Sequence, residues 1–181
     1  MEKVKHRLHL PALLKKLGLP MKAAEIGVAS GFFSRDLLTE GIELLYSIDN
    51  WTTIKNQKGD GGFEQSWHDD NYQSTINLLK PFGDKSVILR GMSTDMAAKI
   101  PDNSLGLVHL DGDHSYAGVV ADLYSFYPKL VSGGIMSGHD YKMGHYGVER
   151  AVTEFTNRLG IEVFVIEENK PEDAGFMFYK P

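Results

Sequence analysis

Short apolar runs of four to six residues alternate along this chain with longer stretches of helical periodicity, and no other feature restricts its fold as strongly. Ala23–Val28, Leu44–Ile48, Ser86–Leu89, Leu105–Leu110 and Gly134–Ser137 read as five strands, each apolar at most positions, as strands covered by helices on both faces must be. Between them, Phe33–Thr39, Gln65–Leu79, Thr94–Lys99, Tyr116–Leu130 and Val148–Leu159 carry helical patterns. The fourth of these sets Val119, Val120, Leu123, Phe126, Tyr127 and Leu130 at helical spacing. Glu162–Glu167 and Gly175–Tyr179 are β-rich and joined by turn-forming residues Asn169–Asp173, which predicts an antiparallel hairpin at one sheet edge. The expectation is an α/β fold: an open, Rossmann-like sheet of seven strands, mostly parallel, with helices on both faces.

The 181 residues suit a single domain spanning 1–181, with 1–20 a helical extension and 51–70 a polar loop or lid holding Gly59, Gly61, Gly62 and two tryptophans. Absence of cysteine removes disulfides, thiolate nucleophiles and Cys-ligated zinc. A net charge of −5 and a pI near 5.8 argue against a nucleic-acid partner, and the basic cluster Lys3, Lys5, His6 and Arg7 reads as the lead into a solvated amphipathic helix. His9, Pro11, Lys15 and Lys16 interrupt the apolar stretch Leu8–Leu17, so neither a signal-peptide core nor a membrane span fits. A cytoplasmic location is expected.

The segment Glu25-Ile-Gly27-Val-Ala29-Ser30-Gly31 lies directly after an apolar strand and before a helix. There Gly27 lets a ligand approach the backbone, Gly31 permits tight strand–helix packing, and the helix N-terminus offers amide donors, so a nucleotide-type ligand would fit. Ala29 stands where a central glycine is usual, which is tolerable if its φ is negative. Glu25 precedes the bend and could accept from a ligand's ammonium group. Asp49 follows the second strand 24 residues later, where a carboxylate can bind both ribose hydroxyls.

These residues, with Leu110-Asp111-Gly112-Asp113-His114-Ser115-Tyr116 and Gly133-Gly134-Ile-Met-Ser-Gly-His139-Asp140-Tyr141, resemble the class I S-adenosylmethionine-dependent methyltransferases. The resemblance is to a small bacterial group whose relatives include sugar O-methyltransferases and cephalosporin-hydroxylase-like proteins, and it runs from about Leu10 to the end. It implies S-adenosyl-L-methionine as cofactor, with Glu25, Gly27, Ser30 and Gly31 at its methionine end and Asp49 on its ribose. Ser93 and Met92 would lie near the adenine, Trp51 would cover the cofactor, and Asp111 would face it. The implied reaction is O-methylation of a small-molecule hydroxyl.

Methyl transfer needs an aligned nucleophile, and a hydroxyl acceptor must lose its proton. Two routes stay open. In one, His114 or His139 is the general base, beside Asp111 and Asp140. In the other, Asp111, His139 and Asp140 bind a divalent ion, magnesium or manganese, that lowers the hydroxyl's pKa; the imidazole favours manganese, iron or zinc over magnesium. Asp113 reads as a helix cap, and Tyr116, Tyr141 and His145 as pocket residues or packing. An NAD(P)-binding oxidoreductase and a non-catalytic cofactor-binding protein are the competing readings, the former lacking a Gly-x-Gly-x-x-Gly fingerprint here. A homo-oligomer, whose second subunit completes a lightly covered pocket, is left open.

Overall fold

The computed structural model describes residues 2–55, 60–142, 147–167 and 174–181. Seven strands form one sheet: Lys22–Ile26 (β1), Leu44–Asp49 (β2), Ser86–Arg90 (β3), Leu105–Leu110 (β4), Leu130–Gly138 (β5), Phe164–Ile166 (β6) and Gly175–Tyr179 (β7), in the order β3-β2-β1-β4-β5-β7-β6. β1 to β5 pair in parallel, whereas β7 runs antiparallel to both β5 and β6. The C-terminal pair is therefore antiparallel as expected, with β7 on the inner side and only the short β6 at the edge.

Among the described residues, six α-helices cover the sheet: Leu10–Leu17 (α1), Phe32–Thr39 (α2), Gln65–Leu79 (α3), Ser93–Ala97 (α4), Tyr116–Phe126 (α5) and Val148–Leu159 (α6). Strand residues alternate between faces, and the core divides accordingly. Ala23, Leu45, Leu107 and Ile135 pack with Leu10, Leu14, Leu37 and Leu79 of α1 to α3. Ala24, Ile48, Val108 and Met136 pack with Ala97, Leu123, Phe126, Val152 and Phe155 of α4 to α6.

Several boundaries differ from the sequence expectation. α5 ends at Phe126, short of Leu130, because Pro128 offers no amide to continue the ladder; a 3-10 turn over Tyr127–Lys129 follows. β5 then starts at Leu130, ahead of Gly134, and absorbs its glycines through a register shift opposite Leu105 and Leu107. The expected loop at 51–70 ends sooner, since Gln65–Asp70 form the start of α3. The turn Asn169–Asp173, His145 and Gly59 lie outside the described residues. Among the described residues, no helix is long and apolar enough to cross a membrane.

The strand order reverses between β1 and β4, and an open α/β sheet leaves a ligand crevice at the carboxyl ends flanking such a switch point. Gly27 leaves β1 at that place with φ +85°, and a Cβ there would lie 2.1 Å from the carbonyl oxygen of Asp111, which leaves β4. Gly31, at φ +86°, caps the start of α2 against Thr75 of α3. The Asp111 amide donates to the Ile26 carbonyl (2.7 Å), so the two strand exits are held together. Gly27→Ala is expected to cost about 2 kcal/mol or more in unfolding free energy, read by urea denaturation. An unchanged midpoint would contradict the close approach.

Candidate active site

The bend after β1 is held by the carboxylate ending β2. Asp49 Oδ2 accepts from the amides of Val28 (2.8 Å) and Ala29 (3.0 Å), and Oδ1 accepts from the amide of Trp51 (2.9 Å). An ionised carboxylate has about four lone-pair sites, so Oδ1 retains capacity for a further donor. Ala29 has φ +48°, contrary to the negative value that would make its methyl group easy to accommodate. Its conformation is fastened from the other side, where its carbonyl accepts from the Trp51 indole N–H (2.8 Å) and the Thr75 hydroxyl (3.0 Å). Trp51, itself at φ +43°, is buried against Tyr72 and anchors the segment after β2 to the bend.

Glu25 is 2% exposed. Strand register places it in line with Ser47 of β2 and His109 of β4, and His109 in line with Ser137 of β5, so a polar row crosses four adjacent strands under α2. Ser34 of α2 donates to Glu25 and contacts Ser47 at 2.8 Å. Burial pushes the Glu25 carboxyl up to about 8, against the lowering effect of the Ser34 hydroxyl, and the charge of Asp111 adds to the rise. Burial likewise pushes His109 down to about 3; its Nδ1 contacts Ser137 Oγ at 3.0 Å and its ring packs on Phe33. At neutral pH both groups are uncharged. Glu25 therefore faces α2, and a ligand ammonium reaching it would compete with Ser34.

The four residues expected to do the chemistry converge beyond β4 and β5. His114 Nε2 lies 3.3 Å from Asp111 Oδ1 and His114 Nδ1 3.1 Å from Asp140 Oδ2, while His139 Nδ1 lies 3.0 Å from Asp140 Oδ1 and 3.9 Å from Asp111 Oδ1. Burial alone would lower both imidazoles, but hydrogen bonds and charge from Asp111 and Asp140 raise them above the ordinary histidine value. Burial would raise Asp140, and the two histidines instead hold it low. One donor atom each from Asp111, His139 and Asp140 lies within 4.8 Å of the others, close enough to share one cation. Two carboxylates and an imidazole suit manganese better than magnesium.

Other expected residues take structural places. Ser93 opens α4 and donates to Asp122 of α5, whose carboxyl burial pushes up to about 6; Met92 beside it is exposed. Asp113 accepts from the Ser115 amide (2.9 Å), and Ser115 is the N-cap that accepts from Gly118 (3.1 Å). Tyr116 pairs with Glu154 and Arg150 of α6, and Tyr141 packs on Phe176, so both serve packing. The Ser30 carbonyl accepts from Ser74 (3.3 Å). A narrow depression beside Gly112, His114, Asp122 and His139 has room for about one water molecule, far below the volume usual for ligand pockets. A bound nucleoside would widen it or lie partly on the open surface. Gly27 has no side chain because the Asp111–Gly112 backbone lies where a Cβ would go, and beside it Asp49 Oδ1 retains acceptor capacity that suits a hydroxyl-bearing ligand.

Arg7, His109 and Asp122 are site residues that sequence patterns did not single out. A 3-10 turn over Arg7–His9 precedes α1, and Arg7 Nη1 stands 3.5 Å from Asp111 Oδ2 with its guanidinium 4.8 Å above the Phe33 ring.

Residues 24–141 match the family model described as a methyltransferase domain, and the chain belongs to that family. A curated relative, the uncharacterized protein y4gI of Sinorhizobium fredii (strain NBRC 101917 / NGR234), is 27% identical over 137 residues, 71% of this chain and 14% of its own length. The chain thus spans about a seventh of that relative. Among solved structures, the O-methyltransferase NovP superposes with TM-score 0.70 at 19% identity, over 96% of this chain and 77% of its own. An O-methyltransferase from Bacillus cereus in complex with SAH gives 0.68 at 12%, over 96% and 80%. A precorrin 8w decarboxylase from Methanobacterium thermoautotrophicum gives 0.66 at 16%, over 96% and 90%. These structures share the fold.

The buried row sets how stability depends on pH. Glu25 binds its proton more tightly folded (about 8) than unfolded (4.5), so stability falls as pH rises across that window. His109 binds its proton less tightly folded (about 3) than unfolded (6.5), so stability falls as pH drops across that one. These two slopes oppose each other between 4.5 and 6.5, where the raised Asp122 carboxyl adds a fall up to about pH 6, and a loss toward pH 8 follows to which the raised histidines add. Urea midpoints are expected to be lower at about pH 8.5 than at about pH 6, with Glu25→Gln shrinking the difference. A higher midpoint at the alkaline pH would contradict the buried neutral acid.

Proposed function

We propose that this protein is an S-adenosylmethionine-dependent methyltransferase that methylates a hydroxyl of a small molecule. The supporting observation is the Asp49 carboxylate on the Gly27 bend at the sheet's switch point, with Asp111 leaving β4 beside it and His114, His139 and Asp140 just beyond. Asp49 Oδ1 would accept from the ribose, Glu25 would take the amino-acid ammonium, and the amide of Ser30 ahead of α2 would add a donor. Trp51 would back the ribose end, while Met92 and Ser93 would flank the adenine from α4. When bound, the cofactor supplies a methyl group made electrophilic by its sulfonium.

Asp111, His139 and Asp140 would hold one divalent cation, of the manganese rather than the magnesium type, that orients the acceptor oxygen and favours its ionised form. His114, between two carboxylates, would take the acceptor's proton in its neutral form, whose share its raised basicity shifts toward alkaline pH. The sheet would thus fix both the methyl donor and the nucleophile in line, which is the larger part of catalysis for such a displacement. A cytoplasmic setting and a second subunit over the depression accord with this reading.

Thermal shift is the direct test: S-adenosylhomocysteine is expected to raise the melting temperature, with no response to NAD or NADP. The reverse pattern would make the protein an oxidoreductase. Manganese titration followed by calorimetry is expected to show one site in the wild type and none in Asp140→Asn; equal binding by both would remove the cation from this trio. Because Glu25 is neutral in the free protein at pH 7, pairing with an ammonium should expel about one proton per S-adenosylhomocysteine bound. Calorimetry in buffers of different ionisation enthalpy measures that number, and none released would contradict the role given to Glu25.

A further inference from the structure

Arg7 precedes the family match, which begins at residue 24, yet it sits at the centre of the site. It does not hang on a loose end. Val4 is buried in the core beneath α1, the Tyr179 hydroxyl donates to the Glu2 carbonyl, Lys16 pairs with Glu2 at 2.7 Å, and Leu10 is fully buried. Between these anchors the chain makes one 3-10 turn, stopped at its start by the His6 side chain accepting from the Leu8 amide (3.2 Å). That turn delivers the guanidinium over the carboxyl end of β4.

Three observations fix what Arg7 faces. It lies 3.5 Å from Asp111, longer than the 2.7–2.9 Å of a closed charge-assisted bond, so this pair is loose. It stacks over Phe33 in the first turn of α2, the helix whose positive N-terminal end follows the glycine bend. Its charge also acts on Glu25, His109, His139 and Asp140. A guanidinium and a carboxyl within electrostatic reach of each other form a complementary pair for a zwitterion.

We propose that Arg7 binds the carboxylate of the cofactor's amino-acid end, opposite the ammonium at Glu25, so that the segment before α1 completes the methionine subsite. This rests on the reading of the protein as an S-adenosylmethionine binder. Arg7 leaves its loose contact with Asp111 and takes the carboxylate through two parallel N–H donors, while Phe33 supports the guanidinium face. Asp111, relieved of that contact, is then engaged only by its partners beyond β4 and β5.

Two ligands separate this subsite from the rest of the cofactor site. S-adenosylhomocysteine carries the amino-acid end, and 5′-methylthioadenosine keeps nucleoside and thioether without it. In calorimetric titrations Arg7→Met is expected to weaken S-adenosylhomocysteine roughly 10- to 100-fold and to leave 5′-methylthioadenosine unchanged, with Arg7→Lys in between. Melting temperatures of the variants, taken without ligand, separate folding loss from binding loss. Equal affinity of wild type and Arg7→Met for S-adenosylhomocysteine, or a matched loss for both ligands, overturns the assignment to the carboxylate while the methyltransferase reading stands. No binding of S-adenosylhomocysteine by the wild type overturns both.

Discussion

The carboxylate of Asp49 is the tie that the site depends on. It receives two amides from the bend after β1 and one from Trp51, and so converts a strained backbone, with Ala29 and Trp51 at positive φ, into a fixed cradle. Residues in that region cost of order 1–3 kcal/mol each and persist only where their surroundings over-determine them. Here the surroundings do so from both sides, through Asp49 below and through the Trp51 indole and Thr75 hydroxyl on the Ala29 carbonyl. The consequence for ligand recognition is direct. The acid proposed to meet a ribose is also a structural member of the bend, so its removal is expected to disturb folding and binding together.

Electrostatics divides the site into two zones. Under α2 the row Ser47, Glu25, His109 and Ser137 is buried and neutral, because desolvation raises the acid and lowers the base. Above the strand ends, His114, His139 and Asp140 are partly open and favour their charged forms, with Asp111 beside them. Arg7 stands between the zones and influences both. An arriving ammonium would shift the first zone toward charge, and a divalent cation would displace protons from the imidazoles of the second.

The sheet was legible because five apolar runs are long enough to span a layer and are punctuated by helical periodicity; each corresponds to a strand at its place in the chain. Boundaries failed where one residue type has two uses. Gly134 reads as the start of a strand, yet β5 begins four residues earlier at Leu130 and carries Gly133 and Gly134 inside it, where an irregular register with β4 accommodates them. The cluster Asp111, His114, His139 and Asp140 was readable because all four follow strands, and strand ends on one side of a parallel sheet must meet. His109 was not, since a polar residue inside an apolar run gains meaning only once register aligns it with Glu25 and Ser137. Arg7 was read as a solvated charge because nothing in local sequence says that the first turn folds back over β4. The sign of φ at Ala29 was equally hidden, being set by hydrogen bonds from residues 51 and 75.

A crystal structure of the protein with S-adenosylhomocysteine and manganese tests the central claim most directly. The account expects the ribose on Asp49, the amino-acid end between Glu25 and Arg7 above Gly27, and any metal among Asp111, His139 and Asp140. A ligand lodged elsewhere, or a switch-point crevice that stays closed around an unliganded bend at saturating ligand, would contradict it.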